Sequence, residues 1–271
     1  MNKRQRWVER NYLTDISVLF YQHRLGWKLY ISRVSDLKRT SGLGLLAPFI
    51  SIFVHVCLLG TVMSLVFNEP TKQFIPFFSI SICIWQVIST FISESSISNE
   101  KSAQFLNFPH ISGHMNSLIN IYELVVSMFL KVLAALLIVL IVDHNVLLGC
   151  SYLGFFLGLL LVAIVMFSWA LPMSYIFDRY RVLRGFLPQM LFVIYLITPI
   201  LWDPSRLAGH MWVAEFNPVY HIVELVRSPL LSGSIPKYSI LVSLAVSFLG
   251  FIVSTVVYER NKMLVVFRWI A

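Results

Sequence analysis

Six long runs of apolar residues divide this chain, at about 43–67, 74–93, 118–142, 147–176, 183–202 and 239–258, with polar segments between them. Each is roughly 20 residues or more, and a helix rising about 1.5 Å per residue needs about that length to cross a hydrocarbon core about 30 Å thick. Runs such as Val132 to Val142 do not alternate apolar and polar positions, as the strands of a membrane barrel would over about ten residues. Backbone polar groups inside lipid need partners within their own segment, so the runs are read as helices. The pattern predicts an all-α polytopic membrane protein with six transmembrane helices.

The segments outside the runs carry patterns of their own. In 1–42, Ile16, Leu19, Phe20, His23, Trp27, Tyr30, Val34 and Leu37 recur at steps of three and four, with Arg24, Lys28, Arg33 and Lys38 off that face. This is an amphipathic helix, and cations flanking an apolar stripe suit the membrane interface. It is read either as an interface helix with a working role or as an anchor with none. Segment 94–117 is the longest loop on the same side. It begins with Glu94, Ser95 and Ser96 and continues through Asn99, Glu100, Lys101, Gln104, Phe105 and Phe108 to Pro109. A short helix is expected over 97–107, stopped near Phe108 by the proline. Asp178, Arg179 and Arg181 form a compact charged turn between the fourth and fifth runs.

Segment 203–238 departs from the simple alternation. Val219, Ile222, Val223, Leu225, Val226, Leu230 and Leu231 are apolar, but Pro218, Pro229 and Pro236 cut a run already too short to cross. It reads as re-entrant or interfacial, a lid or gate; a loop resting on the membrane surface is the plainer alternative. Three parts are therefore expected: a cytoplasmic N-terminal segment 1–42, a six-helix domain 43–258 and a cytoplasmic tail 259–271.

Composition agrees with this reading, with 58% hydrophobic and 13% charged residues against about 45–50% and about 25% in soluble domains. The charge map sets an orientation. Segments 1–42, 94–117, 177–184 and 259–271 hold sixteen of the 21 Lys and Arg, while 68–73, 143–146 and 203–238 hold four. The positive-inside rule puts both termini in the cytoplasm and gives the net charge of +8 to topology rather than to nucleic-acid binding.

Catalytic signatures are missing. The chain contains no G-x-x-x-x-G-K-[ST] phosphate loop, no H-E-x-x-H, no CxxC and no G-x-S-x-G. His110 and His114 stand four apart but lack nearby Cys or carboxylate ligands, so no metal is expected, and the three cysteines are scattered. Glu123 and Lys131 are the intramembrane charges. They lie eight residues apart on one helix, roughly 80° around and about 12 Å along, too far to pair. They line a channel or sit at a helix interface. Tryptophans such as Trp27, Trp85, Trp169, Trp202 and Trp212 are read as an aromatic belt near the span ends, with stacking on sugar rings as a second possibility. A membrane-embedded glycosyl or acyl transferase would draw on Asp178, Asp203 or His221, which form no convincing general-base pair.

Phe216-Asn217-Pro218-Val219-Tyr220-His221, Glu224-Leu225-Val226-Arg227 and Leu230-Leu231-Ser232-Gly233 resemble a stretch found in permeases of the bacterial polysaccharide ABC exporters (ABC type-2). So do Thr198-Pro199-Ile200-Leu201-Trp202 and the Phe108-Pro109 pair. Their charged turn is usually Arg-Asp; here Asp178-Arg179 reverses it. The resemblance implies a homodimer working with two copies of a separate ATPase, which binds the ATP and Mg, so that this chain binds no cofactor of its own and is not itself an enzyme. It implies contact with the ATPase through Asn99, Glu100, Lys101, Gln104, Phe105, Phe108 and Pro109 and through the helix bearing Trp27, Tyr30, Val34 and Leu37. It implies an outer gate of two short helices, carrying Trp202, Asn217, Pro218, Tyr220, Glu224 and Arg227. The cargo implied is a lipid-linked polysaccharide, O-antigen or capsule, crossing the bacterial inner membrane; teichoic acid or a drug is the alternative.

Overall fold

The structure, a computed structural model, describes residues 12–41, 44–102, 115–207 and 209–268. The described part is helical throughout. Helices α1 (Tyr12–Tyr21) and α2 (His23–Ser41) precede the bundle. Five helices are long and apolar enough to cross a membrane: α3 (Ala47–Val66), α4 (Thr71–Ser96), α6 (Met115–Val142), α8 (Tyr152–Arg179) and α12, whose Lys237–Arg260 part qualifies within a helix running to Arg268. Between them lie the short α5 (Ser98–Ser102), α7 (Asn145–Leu148), α10 (Trp212–Glu215) and α11 (Pro218–Leu231).

The sixth expected span is α9 (Val182–Ile197), with 16 residues, or about 24 Å of helix. It ends because Pro199 follows Thr198 and drives it to ψ 134°. Short as it is, α9 reaches from the α5 end of the bundle to the level of α11. Its start is held by the Arg184–Glu100 ion pair, beside α5, and Thr198 after its end takes a hydrogen bond from Asn217, beside α11. The chain then continues through the buried Thr198, Pro199 and Ile200 in non-helical form.

Helix α4 is the axis. Nearly three quarters of its most apolar window is buried (72%), and it packs against α3, α6, α8 and α11. Its serines permit close approach and satisfy themselves within the helix: the Ser79 hydroxyl donates to Pro76 O (3.0 Å) and that of Ser81 to Phe77 O (2.7 Å). Helices α8 and α12 meet along small residues, where the Ser254 hydroxyl donates to Ser168 O (2.8 Å) and Trp169 Nε1 donates to Val246 O (3.1 Å) across Gly250. The outward faces of α3, α9 and α12 expose Leu58, Leu65, Phe186, Phe192 and Phe248, as a lipid-facing surface requires.

Two expectations change in detail. The amphipathic segment is two helices broken at Gln22, and α2 packs against α6 of the bundle. Tyr30 is buried against Met115, Leu118 and Ile119, and a Cβ on Gly26 would stand 2.8 Å from Leu118. The last helix does not stop where its apolar run ends. It continues to Arg268 because 259–268 holds neither Gly nor Pro and nothing breaks it.

Candidate functional site

At the end of the bundle bearing α2, four polypeptide segments share one polar network. Arg33 of α2 reaches Glu94 at the end of α4 and Glu123 of α6, 3.4 Å each, and donates to Asn120 Oδ1 at 3.2 Å. Lys101 of α5 donates to the same Glu94 at 2.6 Å. Asn116 ties the start of α6 to Ser98 (3.2 Å), and Asn99 Nδ2 donates to Ser174 O of α8 at 3.3 Å. Glu100 pairs with Arg184 of α9. Burial, with the Glu123 carboxylate beside it, pushes the Tyr30 phenol above its usual value.

Sequence reading placed Asn99, Glu100 and Lys101 together, and the structure holds them on α5. Gln104, Phe105, Phe108 and Pro109 lie outside the described residues, as do His110 and His114. Trp27 and Tyr30 stack with Tyr122 in an aromatic cluster, with centroids 5.4 and 6.4 Å from its ring. Val34 is half-buried against it, and the side chain of Leu37 is not described. The Asp178 side chain is buried, 3.9 Å from that of the exposed Arg181, while Arg179 is exposed beside the Tyr180 ring. Arg33, Glu94 and Arg184 are the charged members that sequence reading did not select. Arg33 had been set aside as lying off the apolar stripe, yet that position faces the carboxylates of α4 and α6.

At the opposite end, α11 is a helix that does not cross. Pro218 sits in its first turn and Asn217 caps it, accepting from Val219 N at 2.9 Å while donating to Thr198 Oγ1 at 2.9 Å. Its inner face is buried against α4, α8 and α12. Gly158 of α8 makes the approach possible, since a Cβ there would stand 2.1 Å from Leu225 O. Arg227 is 4% exposed. Its Nε and Nη2 donate to Glu224 (2.9 and 2.6 Å), and its Nη1 donates to Pro199 O (2.8 Å) and Ser81 Oγ (3.3 Å). The guanidinium lies 4.5 Å from the Phe77 ring centre and 5.7 Å from that of Tyr220. Ser81 is ten residues into α4, so the Arg227 guanidinium meets α4 about 15 Å along from its start. The segment is therefore a helix packed into the bundle, not an open loop. Trp202 Nε1 donates to Leu196 O at 3.2 Å, closing the chain back over the end of α9.

The residues a transferase would use do not converge. His221, on α11, is buried between Ser239 Oγ (3.0 Å) and Glu215 O (2.8 Å), Asp203 accepts from Ser205 N at 2.8 Å, and Asp178 lies at the α2 end. Glu123 and Lys131 do not pair, as their spacing predicts: Glu123 faces Arg33, and Lys131 donates to Gln86 O (3.0 Å) and Thr90 Oγ1 (3.2 Å) of α4. Both line a cavity of about 640 Å³ between α2, α3, α4 and α6. Trp85 sits well inside α4 and meets Tyr195 of α9 at 5.6 Å on the same cavity.

No curated protein matches the chain. The profile of the family described as ABC-2 type transporter matches residues 27–231, which takes in most of α2 and all of α3 to α11. That match covers most of the 271 residues, and the chain belongs to the ABC-2 type transporter family, the membrane-spanning permeases of ABC transporters.

Proposed function

We propose that this chain is the permease of an ATP-driven exporter of lipid-linked polysaccharide (O-antigen, capsule or a related glycan) across the bacterial inner membrane. It works as a homodimer with two copies of a separate ATPase, which bind ATP and Mg. Family membership implies the ATPase partner. The α2 end is cytoplasmic and both termini lie there, because the segments at that end hold sixteen Lys and Arg against four at the other.

The observation that carries the reading is the pair of structures at the two ends of the bundle. At the cytoplasmic end, α2 and α5 are joined by Arg33, Glu94 and Lys101, so a push on α5 from an ATPase reaches α2, α4, α6 and α9 together. At the outer end, α10 and α11 form two short helices that close against the core through Arg227, and they act as the gate. Closure of the ATPases on ATP moves the first site and opens the second. A glycan is met by hydroxyl, amide and aromatic groups, and Trp85, Gln86, Ser89, Thr90 and Tyr195 supply them on the cavity that also holds Lys131.

The test is co-purification with an ATPase, followed by ATP hydrolysis in proteoliposomes with and without lipid-linked glycan. Stimulation by the glycan is expected. Stimulation by teichoic acid or a drug in its place would reassign the cargo, and a monomer with no ATPase partner would sink the exporter reading.

A further inference from the structure

The cavity contains a charge that nothing on its walls neutralises. Arg33 and Glu123, toward the cytoplasmic end, offset one another at 3.4 Å. Lys131, about 12 Å further along α6 than Glu123, is 4% exposed. Among the described residues it makes no ion pair; its two hydrogen bonds go to a backbone carbonyl and a hydroxyl, Gln86 O and Thr90 Oγ1. An ammonium has three N–H groups, so these leave one for a further acceptor. A lysine at the centre of a membrane helix costs about 2.5–3.5 kcal/mol on insertion scales. Two dipoles compensate that only in part, and a helix-interface role would be met as well by a neutral side chain.

The other walls say what would complete it. Hydroxyls of Ser89, Thr90 and Ser127 and the amide of Gln86 surround the same space, with Trp85 and Tyr195 as aromatic faces. A volume of about 640 Å³ lies in the range of about 300–1,000 Å³ typical for small-molecule sites. It is far larger than a simple anion needs and far smaller than a polymer. Beside the cavity, α3 contains a π-helical turn at Val56–Gly60, which sets Leu59 on its wall.

We infer that this cavity binds the phosphate-bearing headgroup of a lipid, with Lys131 as counter-ion to the phosphate and the aromatic and hydroxyl walls receiving the first sugar unit. The inference rests on the exporter reading only in taking that lipid to be the cargo.

The experiment uses the permease with its ATPase in phosphatidylcholine nanodiscs and a decyl phosphate carrying a photoreactive diazirine. Crosslinks are expected in the peptides covering 85–90 and 123–131. Excess decyl phosphate should compete them away, and decanol or inorganic phosphate at the same concentration should not. Lys131→Met should lower labelling at least tenfold, while Lys131→Arg keeps half or more. Ser127→Phe, which fills the cavity and retains the charge, should lower labelling similarly; it decides the matter if Lys131→Met does not yield monodisperse protein. Equal competition by decanol would show an apolar slot and overturn the inference, as would equal competition by inorganic phosphate. Labelling unchanged in either Lys131→Met or Ser127→Phe would overturn it too. If labelling behaves as expected but lipid-linked glycan fails to stimulate ATP hydrolysis, the cavity assignment stands and the cargo assignment falls.

Discussion

Two arginines join helices at opposite ends of this bundle, and they do so in different ways. Arg33 is 26% exposed and divides itself among Glu94, Glu123 and Asn120, while Glu94 also takes Lys101. Arg227 is 4% exposed, and each of its nitrogens has an acceptor among Glu224, Pro199 O and Ser81. A network reached by water tolerates exchange of partners, because each pair interacts through a high effective dielectric and solvent replaces what is lost. A dry, fully satisfied cation has no such intermediate states, since moving it strands several polar groups at once. The first arrangement suits a joint that transmits displacement. The second suits a latch with two states, held or released.

The largest expected effect lies at the latch. Arg227→Met should cost about 3 kcal/mol, the lower end for breaking a buried pair, because Glu224 keeps 21% exposure and some access to water. Unfolding of the purified protein in mixed micelles would measure it. Adding Glu224→Gln should recover part of the loss, since an orphaned carboxylate is a large share of the cost. A loss below about 1 kcal/mol would place Arg227 in the same class as Arg33 and remove the distinction.

The latch was partly legible in the sequence, and the joint hardly at all. Asn217-Pro218 followed by an apolar helical pattern announces a capped helix wherever it lies, because capping is local chemistry. Its proline-cut length showed that it could not cross. That its Arg227 reaches Ser81 could not be read, because the fit depends on Gly158 letting Leu225 approach, a contact between distant parts of the chain. The spans were legible because lipid imposes length, and α9 came out short where Pro199 stops the helix inside its apolar run. Arg33 escaped notice for a different reason. The stripe of Tyr30 and Val34 was read as a membrane-facing surface, which leaves an arginine off the stripe in solvent; docking on α6 turns the same arginine toward Glu94 and Glu123.

A smaller effect is expected at the joint, and salt sharpens the contrast. Arg33→Ala should cost about 1 kcal/mol or less in the same unfolding measurement. The difference from the unaltered protein should shrink as ionic strength rises toward 1 M, where the Debye length is about 3 Å. The cost of Arg227→Met should stay constant over the same range, because no ions reach a group 4% exposed. Equal salt dependence of the two would mean that the latch is wet.

The smallest effect on stability should come from Glu100 and Arg184, and it separates holding from transmitting. Glu100 is 43% exposed, and Nε and Nη2 of Arg184 are buried without a hydrogen-bond partner among the described residues. A double-mutant cycle of Glu100→Gln and Arg184→Met should therefore give a coupling energy of about 0.5 kcal/mol or less. If α5 conveys ATPase motion, Glu100→Gln should nevertheless lower transport several-fold while ATP hydrolysis continues, because this pair is the ionic link from α5 to α9 in the described structure. Stability and transport would then respond in opposite order at the two ends: a large loss of both at Arg227, a loss of transport alone at Glu100. Export left intact by Glu100→Gln would instead show that α5 moves the bundle through Lys101 and Glu94, and that α9 follows by packing alone.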